Sequence, residues 1–352
     1  MDYLKEGADF LASVRKNSKA FIISHDDSDG VCSAVMINRF LESRGVKTSY
    51  AVSYSNVSET VLGKIEENNP EFLVFVDLNV DQYPEMISRV TKSRKTLIVD
   101  HHKMQNDLSG MAGVTFVKAE KVDSQMEPVR YAASKMCFDI LGRLGGFENL
   151  DYLAAVGMAG DLALDAWPEF RDSADKKYGL KQVRLVSSKI YSFKSVGEIE
   201  KAFQIVNDCD SFEELSSSEE LEEMLEKVEK KINKVNADFE KKKEVFEDKK
   251  LIIYKMKESE IDVSSQVITG KSVSEYPDYL LVLIVEGKNK LTIKFRSNSR
   301  KPDAAKLVGL LKKSIPGLKG GGHAVAAGAF MYENIGAEKA KQKILENIDK
   351  CK

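Results

Sequence analysis

Residues 21–34 read FIISHDDSDGVCSA. An apolar, β-branched run (21–24) passes without a spacer into His25, Asp26, Asp27 and Asp29, and residues 31–43 continue with helical periodicity. A strand that turns sharply into a helix is the opening of a βα unit, and ligands of parallel sheets bind beyond the carboxyl ends of the strands. Crowding three carboxylates at such an end costs free energy, because like charges raise one another's pKa. Asp and Ser also suit a solvated turn with a helix N-cap. The stretch alone leaves these two readings even, and the remainder of the chain separates them.

The same alternation continues. KTSYAVSY (47–54), EFLVFVDL (71–78), KTLIVD (95–100) and GVTFV (113–117) are short, apolar and rich in β-branched or aromatic residues. Helical patterns fall between them at 59–67 and 85–93, and two more follow at about 126–144 and 150–164. This predicts an α/β fold with a mainly parallel sheet and helices on both faces. The unusual polar residues then project from one sheet edge: His25–Asp29, Asp77 and Asp100–His102. Asp161 joins them from AAVGMAGDLA (154–163). Asp26, Asp81 and Asp165 read as ordinary turn or cap residues.

At 352 residues the chain suits two domains. Its formal net charge of -2 creates no overall field toward nucleic acid or membrane, so such attraction must come from a local patch. Cysteines at 32, 137, 209 and 351 show no zinc-finger or CxxC spacing, which suits reduced thiols. No basic leader and no 18-residue apolar run occurs, so the expected location is cytoplasmic, with no membrane partner. Only four histidines are present, His25, His101, His102 and His323, and each lies within two residues of a glycine or aspartate.

Three regions are expected: 1–190 as the catalytic domain, 191–250 as a helical connector, and 251–352 as a smaller α/β domain. Between 211 and 250, Leu221, Leu225, Val228, Ile232, Val235 and Phe239 form an apolar stripe along a long helix. The stripe spans fewer than three heptads, so it reads as packing on its own domains rather than as a partner-binding coiled coil. The last region holds LIIYKM (251–256), DYLLVLIVEG (278–287) and KLTIKFRS (290–297) as strands, with helices near 303–313 and 336–349. From Lys288 to Lys319 there are ten Lys or Arg and one acid, Asp303, and this basic run leads into Gly320–Gly322 and His323. A glycine loop there allows backbone amides to approach an anion.

Hard carboxylates mixed with imidazoles, without thiolates, suit Mn²⁺ or Mg²⁺. The cluster is too large for one ion, and two ions about 3.5–4 Å apart suit phosphoester or phosphoanhydride hydrolysis. Five elements in order, HDDSDG (25–30), VFVDLNV (74–80), LIVDHHK (97–103), GMAGD (157–161) and GGGHAVAAG (320–328), resemble the DHH phosphoesterase superfamily, the last one its DHHA1-type domain. The form is most similar to archaeal RecJ-like proteins. The resemblance implies that His25, Asp27 and Asp77 hold one ion, and Asp29, Asp77, His101 and Asp161 the other, with Asp77 bridging. It implies that His102 faces the phosphate, that Asp100 orients a histidine, and that Arg296, Ser297, Gly320, Gly321, Gly322 and His323 grip the substrate. The implied activity is a single-strand exonuclease on DNA or RNA releasing mononucleotides. Alternatives are a short-oligonucleotide (nanoRNA) phosphodiesterase, or a scaffold in a GINS-type replication complex. The GGGH tail argues against the pyrophosphatases of the superfamily.

Overall fold

The computed structural model describes residues 2–53, 59–257, 261–333 and 335–351. The end of the strand read at 47–54 therefore lies outside the described residues. Two compact units divide the chain, residues 1–225 and 226–352.

The first unit opens with α1 (Tyr3–Ser13), β1 (Lys19–Ser24), α2 (Ser28–Ser43), β2 (Lys47–Val52), α3 (Glu59–Asn68) and β3 (Phe72–Val76). It continues with α4 (Pro84–Thr91), β4 (Lys95–Asp100) and β5 (Val114–Lys118). The strands form one parallel sheet in the order β2-β1-β3-β4-β5. Alternate residues Phe21, Ile23, Leu73, Phe75, Ile98 and Phe116 meet α3 and α4 through Val61, Leu62, Ile65, Ile87 and Val90. Helix α1 packs on β4 and β5, and α2 on β1. With both faces covered, every residue of β3 is buried, which is why its sequence is continuously apolar rather than alternating.

Seven helices follow: α5 (Ala119–Val122), α6 (Ala133–Gly142), α7 (Asp151–Gly160), α8 (Pro168–Tyr178), α9 (Leu180–Lys194), α10 (Ile199–Asp208) and α11 (Phe212–Ser216). Helices α2, α6 and α7 pack on one another. Gly157 makes this approach possible, since a Cβ there would lie 2.4 Å from Ser134 Oγ and 2.8 Å from Asp29 Oδ1. The glycine in GMAGD thus brings the α7 end, with Asp161, up to Asp29.

Helix α12 (Glu219–Lys242) runs across the division at 225/226. The stretch expected as a helical connector, 191–250, thus contains α10, α11 and α12. The second unit then holds β6 (Glu244–Phe246), β7 (Leu251–Lys257), α13 (Ile261–Ser274), β8 (Leu280–Glu286), β9 (Leu291–Arg296), α14 (Ala304–Ser314), β10 (Lys319–His323), β11 (Ala326–Met331) and α15 (Ala337–Asn347). Its sheet runs β10-β11-β9-β8-β7-β6, with only the β7–β8 pair parallel. One face is covered by α14 and α15, through Leu307, Leu311, Ala340 and Ile344. The other is covered by Val235 and Phe239 of α12 with Val263, Val267 and Ile268 of α13. The apolar stripe therefore packs within the chain.

The GGGH segment departs from the expected loop. Gly320, Gly321 and Gly322 lie in β10 and pair with Ala329, Gly328 and Ala327 of β11. Gly322 has φ 144°, and a Cβ there would fall 2.5 Å from Ala326 O. At Gly320 and Gly322 the closeness of the two strands excludes a side chain, while Gly321 faces open space, and the three glycines form an open sheet edge rather than a loop.

Candidate metal centre

Three strand ends and two helix ends build the site. His25 follows β1, and its Nδ1 lies 2.5 Å from Asp27 Oδ2 and 3.5 Å from Asp77 Oδ2. Asp27 is the N-cap of α2, its Oδ1 accepting from Gly30 N at 3.0 Å, which leaves Oδ2 for the site. Asp29, in the first turn of α2, accepts from the backbone N–H groups of Ala133 and Ser134 at 2.8 and 3.0 Å. It thereby ties α2 to the start of α6.

Asp77 follows β3 in the left-handed region, at φ 58°. That conformation is costly for a residue with a side chain and recurs at functional sites. Its carboxylate is 1% exposed. Oδ1 sits 3.1 Å from His101 Nε2 yet has no well-directed hydrogen bond, and His101 Nδ1 is likewise buried without a partner. His101 Nε2 also lies 3.1 Å from Asp161 Oδ2 at the C-cap of α7. His102 is turned outward, with 38% of its side chain exposed, and its Nδ1 is 2.7 Å from Asp100 Oδ1. Two candidate ligand sets thus share one carboxylate: His25, Asp27 and Asp77, and Asp29, Asp77, His101 and Asp161. Within each set one donor atom per residue lies within 4.8 Å of the others, and a third grouping joins Asp77, His101 and His102.

The electrostatics point the same way. Burial alone would lower the pKa of His25, but the hydrogen bonds and charges of Asp27 and Asp77 outweigh it and raise it to about 11. His101 is likewise raised against burial, to about 10, chiefly by Asp77. Burial and then the Asp77 charge push Asp29 up to about 7, and burial with the Asp29 and Asp77 charges pushes Asp161 to about 9. Asp77 is held well below the usual carboxylate range against its burial, by His101 and His25. Protons on imidazoles and carboxyls here balance charges that divalent cations would balance instead. Orphaned buried donor atoms and an oxygen–imidazole set without thiolates fit Mn²⁺ or Mg²⁺.

Residues 19–160 match the DHH family, N-terminal domain, and residues 248–352 match the DHHA1 domain. The chain belongs to the DHH/DHHA1 phosphoesterase superfamily. No curated protein sequence matches it. Among solved structures, exonuclease RecJ bound to manganese is similar over 99% of this chain and 95% of that one, at 17% identity and a TM-score of 0.74. RecJ from Thermus thermophilus in complex with Mn²⁺ is similar at 18% identity and 0.70, with 99% of this chain matched to 55% of the other. CDC45 from Entamoeba histolytica is similar at 11% identity and 0.62, over 99% and 97% of the two chains. At these identities the likeness establishes the DHH–DHHA1 fold. Among the described residues no helix is long and apolar enough to cross a membrane.

The expected substrate residues lie in the other unit. Cross-strand register sets His323 opposite Ala326 and Ala326 opposite Arg296, so these residues share one face of the sheet. His323 is exposed, while Ser297 is 6% exposed. Arg296 Nε reaches Thr269 Oγ1 at 3.2 Å and Nη1 the carbonyl of Phe295 at 2.8 Å.

Two of the three acids expected in ordinary turns are otherwise placed. Asp26 is 1% exposed, 2.7 Å from Lys194 Nζ and 3.3 Å from His25 Nε2. Asp81 is fully buried against Lys118. Asp165 is exposed and pairs with Arg171. Lys118, buried, and Lys194, half-buried, are not legible in the sequence, because nothing in the local sequence distinguishes a lysine that pairs with a buried carboxylate from a solvated one.

Proposed function

We propose that this superfamily member is a metal-dependent phosphodiesterase that removes mononucleotides from the ends of single-stranded DNA or RNA. The observation that carries the reading is the Asp77 carboxylate, buried and shared by two ligand sets. Two Mn²⁺ or Mg²⁺ ions held there would neutralise phosphoryl oxygens and supply an activated water near neutral pH. In this reading His25, Asp27 and Asp77 hold one ion, and Asp29, Asp77, His101 and Asp161 hold the other. His102, turned outward and anchored by Asp100, faces the scissile phosphate. Arg296, Ser297, His323 and the open edge of β10 hold the terminal nucleotide, with Lys288–Lys319 supplying positive charge for the strand behind it.

A nanoRNA phosphodiesterase would use the same centre on two to five nucleotides. The likeness to CDC45 keeps a scaffolding role in a GINS-type replication complex as the second reading. The full ligand set favours chemistry over scaffolding alone. The test is digestion of end-labelled DNA and RNA of several lengths with Mn²⁺, with Mg²⁺ and with chelator. Metal-dependent release of mononucleotides from long and short strands is expected. Full activity in chelator overturns the metal assignment. Activity confined to the shortest strands selects the nanoRNA reading, and no activity with any strand selects the scaffold.

A further inference from the structure

We propose that Lys118 is a positioning residue for this centre: its buried ammonium fastens the loop carrying Asp77 to the loop carrying Asp100, His101 and His102, and so fixes the imidazole of His102. Lys118 ends β5 and is 0% exposed. An ammonium has three N–H donors and accepts nothing, and three oxygens surround this one. Asn79 Oδ1 lies at 3.3 Å and Asp81 Oδ1 at 2.9 Å, and Asp100 Oδ2 makes a close ion pair. Asn79 and Asp81 stand just past Asp77, whereas Asp100 begins the His101–His102 turn. One cation on a third strand therefore holds two strand-end loops together.

A second set of bonds doubles the tie. Asp81 Oδ2 accepts from the backbone N–H groups of Gln105 and Asn106 at 2.5 and 3.0 Å, and Asn106 Nδ2 donates to Asp81 O at 2.8 Å. The segment after His102 is thus pinned to the loop after Asp77 as well. Asp100 uses its other oxygen on His102, accepting from Nδ1 at 2.7 Å and from the backbone N–H at 3.2 Å. Lys118 holds Asp100, Asp100 holds the ring at Nδ1, and Nε2 is left to face outward. Partners of this kind orient a histidine and set its basicity.

What the chain needs from Lys118 is both charge and length. Two buried carboxylates, Asp81 and Asp100, converge on it, and without the cation they repel each other. An asparagine or serine would not reach all three oxygens.

The consequence for turnover rests on the proposed activity, but the decisive readout does not. In metal-free, full-length protein with ¹⁵N-labelled histidine, four imidazoles are to be resolved, and His102→Gln assigns the one of interest. The hydrogen-bonded Nδ1–H of His102 is expected as a slowly exchanging downfield proton. It should vanish in Lys118→Met and return in Lys118→Arg, with Mn²⁺ binding by calorimetry weakened no more than about tenfold. Turnover on oligonucleotides should fall about 10–100-fold in Lys118→Met while KM changes little. If Lys118→Met fails to fold, the double variant Lys118→Met/Asp81→Asn removes the excess buried charge and is read in its place. A His102 signal unchanged in whichever of these folds overturns the proposal. Failure of the wild-type protein on every oligonucleotide would overturn the activity and leave the spectroscopic test standing.

Discussion

At the scale of single residues the centre turns on Asp77, whose Oδ1 faces His101 and whose Oδ2 faces His25. Asp77→Ala removes a donor from both sets, so turnover should fall further than for Asp27→Ala or Asp161→Ala, and calorimetric Mn²⁺ stoichiometry should drop. Near-normal turnover in Asp77→Ala, with loss in Asp26→Ala, would overturn the ligand assignment. Protons occupy the site in the absence of ions. His25, His101 and Asp161 are raised to about 11, 10 and 9, so all three hold protons at neutral pH, and Asp29, raised to about 7, holds one part of the time. An entering cation must expel them. Apparent Mn²⁺ affinity should therefore rise with pH from about 6 to 9, with proton release visible as a dependence of binding heat on buffer ionisation enthalpy. An affinity flat over that range would mean that the ions bind elsewhere. The ligands are legible in the sequence because acids and imidazoles cluster at strand ends within a few positions of one another. Asp26 reads as solvated because its partner, Lys194, is 168 positions away and only the fold supplies it.

At the scale of elements, period and composition locate most strands and helices, and fail where a neighbour decides the conformation. Three consecutive glycines carry no periodicity, so β10 reads as a loop until β11 is set against it. Gly322→Ala would put a Cβ 2.5 Å from Ala326 O, and the β10–β11 pairing should lose about 1–3 kcal/mol, seen as faster amide exchange in β10 and a lower unfolding midpoint. Unchanged exchange would mean that β10 and β11 leave room for a methyl group at this position. Helix α12 is legible as an apolar stripe, but its destination is not, since the same stripe serves a coiled coil. Phe239 is fully buried among Ile252, Tyr254 and Leu283. Phe239→Ala should cost about 3–5 kcal/mol in the second unit, with no change in the sedimenting mass of the folded protein. Dissociation to a smaller species on that substitution would restore the coiled-coil reading.

At the scale of the whole molecule, the order of five short motifs along 352 residues carries the superfamily, because four of them mark strand or helix ends that meet at one edge of the first sheet and the fifth marks the second unit. The choice of substrate is not legible in the same way, since the centre's chemistry is indifferent to what lies beyond the scissile phosphate. That choice falls to the second unit in the proposed function, where Arg296 and His323 share one sheet face and ten basic residues lie between 288 and 319. Binding through such cations releases counterions, so log affinity for a single strand should fall linearly with log salt, by about 0.7 for each phosphate engaged. Arg296→Ala should lower that slope by about 0.7 and weaken binding of DNA and RNA alike, while Mn²⁺ affinity stays as in the wild type. A slope unaffected by the substitution would place the strand on another surface. The same proposal requires a terminus, because the anchor takes the end nucleotide. A linear strand of some tens of nucleotides should be consumed to mononucleotides, and its covalently closed circular form should survive the same Mn²⁺ and enzyme concentrations. Rapid cutting of the circle would show that the centre reaches internal phosphates, and it would remove the exonuclease and nanoRNA readings together.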